Sequence, residues 1–181
     1  VDDNAIVALG DEFYAQYLAR LKKKFDVKEG PLDSHLGVRY DFDRERGTVT
    51  LSTPAQITKL LKEFNMEECN PASAPVPSGP APCDADCEEP YHEEWDMETY
   101  EGHVLYICLV SRPDICQSVK ITSRYTKRFG KRHVAYAKHL LRYLKGTRLL
   151  GLVYRSGFPC HFQIFTDASH ASCVDTRRTI V

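Results

Sequence analysis

Residues 70–94 carry neither helical nor strand periodicity, and this constrains the chain more than any other feature. The segment is rich in Pro, Ala and acids, and it divides two stretches of opposite charge. Residues 63–101 hold twelve acids and no Lys or Arg, whereas residues 112–155 hold twelve Lys or Arg and one acid, Asp114. A structureless connection of about 25 residues is uncommon inside a compact domain, so the expectation is an extended, mobile link between two units. Either charged block alone fits a solvated loop or a solvated helix face equally well. Together they favour a polyanion partner for the second half, because clustered cations gain affinity by releasing condensed counterions. The net charge of −1 conceals this polarity.

With 181 residues, 43% hydrophobic and 27% charged, the chain has the make-up of a globular protein with one core, or one domain and a piece of another. No apolar run approaches the roughly 20 residues that span a bilayer, and no leader pattern opens the sequence. Seven Cys at irregular spacing argue against a disulfide framework and for reduced thiols. The expected setting is intracellular, cytoplasmic or nuclear, with no membrane partner.

Strand and helix signals flank the connection. The apolar run 5–9 reads as a buried strand leaving the acidic pair Asp2-Asp3. Residues 11–25 read as a helix, with Phe13, Tyr17, Leu21 and Phe25 at four-residue intervals, ended by Gly30-Pro31. Residues 35–42 and 48–52 read as a β-hairpin about the turn 43–47, and Pro54 then starts a helix bearing Ile57, Leu60, Leu61 and Phe64. Beyond the connection come three helical patterns. The first, 97–110, is expected to bury Val104, Leu105, Ile107 and Cys108; Ser111-Arg112-Pro113-Asp114 ends it and starts the second. The third, 131–144, aligns Val134, Ala137, Leu141 and Leu144, with Lys138, Arg142 and Lys145 on another face. Two strands, 149–154 and 160–167, are expected to pair about a Ser156-Gly157 turn.

Three acids have the setting that two-metal phosphoryl chemistry requires. Asp2 and Asp3 stand at one strand end and Asp167 at another, and hard carboxylate oxygens suit Mg²⁺. Neither end has its full set of partners, which leads to the expectation of a piece of a larger nucleic-acid enzyme. Read alone, an Asp-Asp pair is far more often a hydrated turn than a metal site, and a lone strand-end Asp is usually a cap or turn residue. Cys83 and Cys87, with Cys69 and His92 nearby, have poor spacing for a structural zinc site.

Several short motifs fall in one order: Val1-Asp2-Asp3, His35-Leu36-Gly37-Val38, Leu51-Ser52 through Pro54, Lys59-Leu60-Leu61, Ser111-Arg112-Pro113-Asp114-Ile115, Leu141-Arg142-Tyr143-Leu144-Lys145-Gly146-Thr147 and Asp175-Thr176-Arg177-Arg178. In that order they resemble the reverse transcriptase of copia-type LTR retrotransposon Pol polyproteins, from its catalytic Asp-Asp hairpin to the start of ribonuclease H. The resemblance implies an α/β (α+β) fold: a partial polymerase palm with a β-hairpin over 1–69, the acidic connection 70–96, a helical thumb over 97–147, and the opening strands of a truncated ribonuclease H-like fold over 148–181.

It also implies roles. Asp2 and Asp3 would bind Mg²⁺ at the polymerase site of the complete enzyme, and Asp167 would be the first metal-binding acid of the nuclease. Leu36 and Gly37 would form the primer grip, although Gly37 alone fits a strand bulge as well. Lys120, Arg124, Lys127, Arg128, Lys131, Arg132, Lys138 and Arg142 would contact the phosphates of a primer–template duplex or RNA–DNA hybrid. Any one of these cations alone reads as a solvated side chain. Ser169-His170 departs from the family's Asp-Trp. The rest of the Pol polyprotein would be a further partner, and the isolated chain is expected to lack activity. Two other readings remain: a non-catalytic nucleic-acid-binding remnant, and a helical protein-interaction module.

Overall fold

The computed structural model describes residues 4–8, 10–88, 91, 94–157, 163–166 and 175–176, and shows a small antiparallel sheet beside a helical bundle. The sheet runs in the order β1 (Ser34–His35), β2 (Val38–Asp43), β3 (Thr48–Ser52), β4 (Gly151–Arg155). The expected hairpin of β2 and β3 is present, with Asp43 paired to Thr48 at its closed end. The expected strand 35–42, however, is interrupted. Leu36 (φ 51°) and Gly37 (φ 79°) form a two-residue turn closed by the His35–Val38 pair, and positive φ at both central residues suits the twist of the flanking strands. Gly37 is therefore a turn residue and not a bulge. A Cβ at this position would stand 2.2 Å from Gln56 Nε2.

β4 departs from expectation in its partner. It pairs with β3 from Thr48↔Arg155 to Ser52↔Gly151, a neighbour not expected from the sequence. The alternation of a strand names a buried face but not a neighbour, and β3 offered an unpaired edge. Residues 163–166 carry no strand, and the remainder of 160–167 lies outside the described residues. The apolar run at 5–8 likewise has no regular structure, and residues 5–7 are exposed. No described strand supplies its backbone partners, without which an apolar run does not become a strand.

Helix α1 (Asp11–Lys22) forms as expected but ends three residues early, where the Lys24 and Phe25 amides fold back on the Leu21 carbonyl. Its apolar stripe is uncovered: none of its residues is buried, and Phe13 is 66% exposed.

The core lies among α2 (Pro54–Glu63), α3 (Met97–Val110), α4 (Cys116–Thr122) and α5 (Lys131–Gly146). Pro54 opens α2 from a pre-set φ, and Ile57, Leu60 and Leu61 turn inward. Asp96 caps α3 by accepting from the Thr99 amide at 2.9 Å and from its hydroxyl at 2.6 Å. The buried stripe of α3 is Met97, Tyr100, Glu101, Val104, Ile107 and Cys108; Leu105, expected inside, is 48% exposed because it sits one helical step off that stripe. In α5, Val134, Ala137, Leu141 and Leu144 are buried as expected, joined by Leu140. Each buried Val or Leu among these contributes roughly 1.5–3 kcal/mol by leaving water.

Because Ile57, Leu60 and Leu61 lie in the same core as α3 and α5, the segment 70–94 does not separate a first unit from a second. Nor is it a free spacer. Residues 69–82 run as a strap along α5, with the Ala72 amide on the Arg142 carbonyl (3.2 Å) and the Asn70, Cys69 and Pro80 carbonyls accepting from Arg142 (2.7 Å), Lys145 (2.8 Å) and Arg132 (3.1 Å). Ser118 donates to the Pro75 carbonyl at 2.8 Å, and the Tyr125 hydroxyl oxygen lies 3.3 Å from the Pro82 carbonyl. A Pro-rich stretch cannot enter a ladder through its missing N–H groups, so its carbonyls remain available to side-chain donors.

Candidate nucleic-acid interface

The basic residues of the second half do lie together on α4, α5 and the turn between them, but most are matched within the chain. Arg124 pairs with Asp175 (2.9 Å), Arg132 with Asp86 (2.8 Å), and Lys127 with Glu98. Lys138 donates to the Tyr91 hydroxyl (2.8 Å) and stands over the Tyr91 and Trp95 rings, while Arg142 is held by the Asn70 carbonyl. Lys120 also interacts within the chain. Arg128 and Lys131 are exposed. Strap groups thus hold Arg132 and Arg142, while Asp175 and Glu98 hold Arg124 and Lys127, four of the cations expected to meet phosphates.

The Ser111-Arg112-Pro113-Asp114 motif builds architecture. Arg112 is 1% exposed and grips Asp114 with two bonds, Nε–Oδ1 at 2.9 Å and Nη2–Oδ2 at 2.7 Å. Its remaining donors reach the Thr147 carbonyl (2.9 Å) and hydroxyl (2.8 Å), tying the start of α4 to the end of α5. Tyr143 donates to Asp114 Oδ2 at 2.8 Å and offers its ring face to the guanidinium at 5.3 Å. Burial pushes the Asp114 carboxyl up, but the bonds from Arg112 and Tyr143 outweigh it and hold it below the usual range.

Two further groupings escape sequence reasoning. One gathers around Asp175, whose carboxylate accepts from the Asp84 amide, Arg124 and the Tyr125 hydroxyl, each at 2.9 Å. The Asp84 bond, then Tyr125 and Arg124, keep this carboxyl below its usual range. The sequence signal was the acid opening Asp175-Thr176; its distant partners were not legible. The other grouping is Glu101, 7% exposed, with no hydrogen-bond partner for either oxygen. Burial raises its pKa to about 7, with Thr122 offsetting some of the rise.

The hairpin tip is fixed from two sides. Tyr106 donates to the Leu36 carbonyl, and Gln56 closes on Gly37, leaving the Leu36 side chain 60% exposed. Asp2, Asp3 and Asp167 lie outside the described residues, as do His92, His170, Arg177 and Arg178. Among the described residues no group of three or more His, Cys, Asp or Glu is placed to hold a metal ion, and Cys87 donates instead to the Arg128 carbonyl at 3.3 Å. No described helix is long and apolar enough to cross a membrane.

Comparison with known proteins identifies the class to which this chain is similar. Across nearly its whole length it is similar to a portion of a retrovirus-related Pol polyprotein, and it spans less than two thirds of the first two relatives it matches. The retrovirus-related Pol polyprotein from transposon TNT 1-94 of Nicotiana tabacum is 30% identical over 99% of the chain, which covers 14% of that protein. A putative transposon Ty5-1 protein of Saccharomyces cerevisiae is 28% identical over 97% of the chain, which spans 56% of its length. An uncharacterized mitochondrial protein of Arabidopsis thaliana is 26% identical over 99% of the chain, here covering 73% of the relative. No family model matches the chain. No solved structure matches it either.

Proposed function

We propose that this chain corresponds to the closing portion of the reverse-transcriptase region of a copia-type polyprotein, running into ribonuclease H, and that it grips primer–template duplex. The observation that carries this reading is the similarity over 99% of the chain to a retrovirus-related Pol polyprotein. The order of the short motifs supports it. In this reading Leu36 and Gly37 contact the primer end from a rigid hairpin tip, and α3 to α5 form the thumb. Asp2 and Asp3 are the metal ligands of the polymerase site, and Asp167 that of the nuclease. Their hard oxygen chemistry fits Mg²⁺, which would supply charge neutralisation at the reacting phosphate when bound. Cations left on the thumb, Arg128 and Lys131 first, position the duplex without reading its sequence.

Duplex binding by this chain, followed by fluorescence anisotropy over a salt series, tests the proposal. Log affinity should fall with log salt by about 0.9 per phosphate neutralised. Binding indifferent to salt would remove the thumb role. Primer extension with Mg²⁺ and deoxynucleotides is expected to be absent for this polypeptide alone; extension would overturn the assignment of a partial site.

A second reading, a non-catalytic nucleic-acid-binding remnant, is favoured by one fact. The chain covers 73% of an Arabidopsis relative that is itself short. It predicts the same salt slope but no gain of activity when upstream polyprotein segments are supplied. A protein-interaction module, the third possibility, predicts that acidic peptide competes better than duplex.

A further inference from the structure

We infer that the donors around Asp175 form an oxyanion cradle whose second ligand is a phosphate, with Asp175 as the stand-in the chain itself provides. Three unlike donors converge there: the Asp84 backbone amide, the Arg124 guanidinium and the Tyr125 hydroxyl, each 2.9 Å from a carboxylate oxygen. The cradle is built rather than incidental. Tyr125 is 3% exposed, its ring packs 4.1 Å (centroid to centroid) from that of the buried His133, and Arg124 lies over the Tyr125 ring at 5.2 Å. Asp175 itself has a side chain only 9% exposed.

Charge and shape both fit a phosphodiester. Arg124, Arg128 and Arg132 stand here against Asp84, Asp86 and Asp175, so the group is neutral while Asp175 is seated and carries one net positive charge once it leaves. A phosphodiester is singly charged and presents two anionic oxygens on one centre, as a carboxylate does. It can therefore replace Asp175 one for one on the same donors, with the guanidinium well suited to it. Arg124 is one of the cations expected to meet phosphate, and in the described structure Asp175 holds it. Residues 175–176 and a bound phosphate exclude each other at this position. That the displacing phosphate belongs to a nucleic acid rests on the function proposed above; the cradle does not.

The test uses the full chain and its Asp175→Asn variant, titrated with inorganic phosphate while the Asp84 amide is followed by NMR. Asp175→Asn should give a saturable shift at phosphate concentrations at least tenfold below those the unaltered chain requires. Adding Arg124→Gln should abolish that shift, and adding Tyr125→Phe, which keeps the buried ring, should weaken it. Absence of a saturable shift in a folded Asp175→Asn variant overturns the cradle. In a second arm, duplex DNA should bind Asp175→Asn several-fold more tightly at low salt, with a salt slope steeper by about 0.9. Phosphate saturation with unchanged duplex affinity overturns the nucleic-acid assignment alone. Failure of both proteins to bind duplex overturns the proposed function, and the phosphate titration still decides the cradle.

Discussion

The helical bundle and the sheet with α1 dispose of their side chains in opposite ways. In the bundle even charged groups are drawn inward: Arg112 is enclosed with two bonds to Asp114 and two to Thr147, and the strap's carbonyls answer Arg132, Arg142 and Lys145. On the sheet and α1, apolar rings meet solvent. Tyr40, Phe42 and Tyr154 share one face with Val49, Leu51 and Leu152, yet Phe42 and Tyr154 are each 55% exposed, and Phe13 on α1 is 66% exposed. The bundle therefore satisfies its own polar groups and buries its own apolar area. The sheet and α1 add backbone pairing but leave their apolar faces uncovered, so stability should be concentrated in the first region and nearly absent from the second.

The largest break in that contrast should come from Arg112→Ala. It leaves the 38%-exposed Asp114 carboxylate to Tyr143 and water. It also removes a buried guanidinium with four charge-assisted bonds and frees the Thr147 end of α5, which together should cost about 3 kcal/mol. Urea denaturation followed by helical circular dichroism should show it, and a loss under about 1 kcal/mol would place the pair among weak surface bridges. Next is Glu101. Its carboxyl titrates at about 7 in the folded chain against 4.5 ordinarily, so the folded state binds more protons across that interval. Stability is accordingly highest below about pH 4.5 as far as this group is concerned, and falls as pH rises through about 7, by roughly 3 kcal/mol in all. Glu101→Gln should remove this dependence; unfolding midpoints at pH 5 and pH 8 that keep their separation in the variant would refute it.

The same contrast explains what the sequence could and could not reveal. Local patterns were legible wherever one element decides its own fate: the Pro54 start of α2, the β2–β3 hairpin, and the stripe of Val134, Ala137, Leu141 and Leu144. Leu105 was misplaced because periodicity fixes a stripe only to within one helical step. The docking of residues 69–82 was illegible, since their bonds run from backbone carbonyls to side chains about 50–75 positions away and leave no periodic trace. The pairing of β4 with β3 was hidden for a related reason, because alternation does not name a neighbour. The candidate site suffered most. Charge is visible in a sequence and the partner that neutralises it is not, so eight cations that look available include Arg124, Lys127, Arg132, Lys138 and Arg142, all engaged within the chain.

Two smaller substitutions sharpen the comparison from either side. Asp96→Ala deletes the side-chain cap that satisfies the Thr99 amide at the start of α3, and should cost about 1 kcal/mol. Phe13→Ser removes a larger apolar group than that cap, yet should change global stability by no more than about 0.5 kcal/mol, because the ring loses little water contact on folding. The ordering is the informative result, since a buried-area argument blind to context would rank the aromatic loss first. Should Phe13→Ser prove more damaging than Asp96→Ala in urea titrations, the α1 stripe must be covered in solution, and the division between a self-sufficient bundle and an uncovered remainder would fail at that helix.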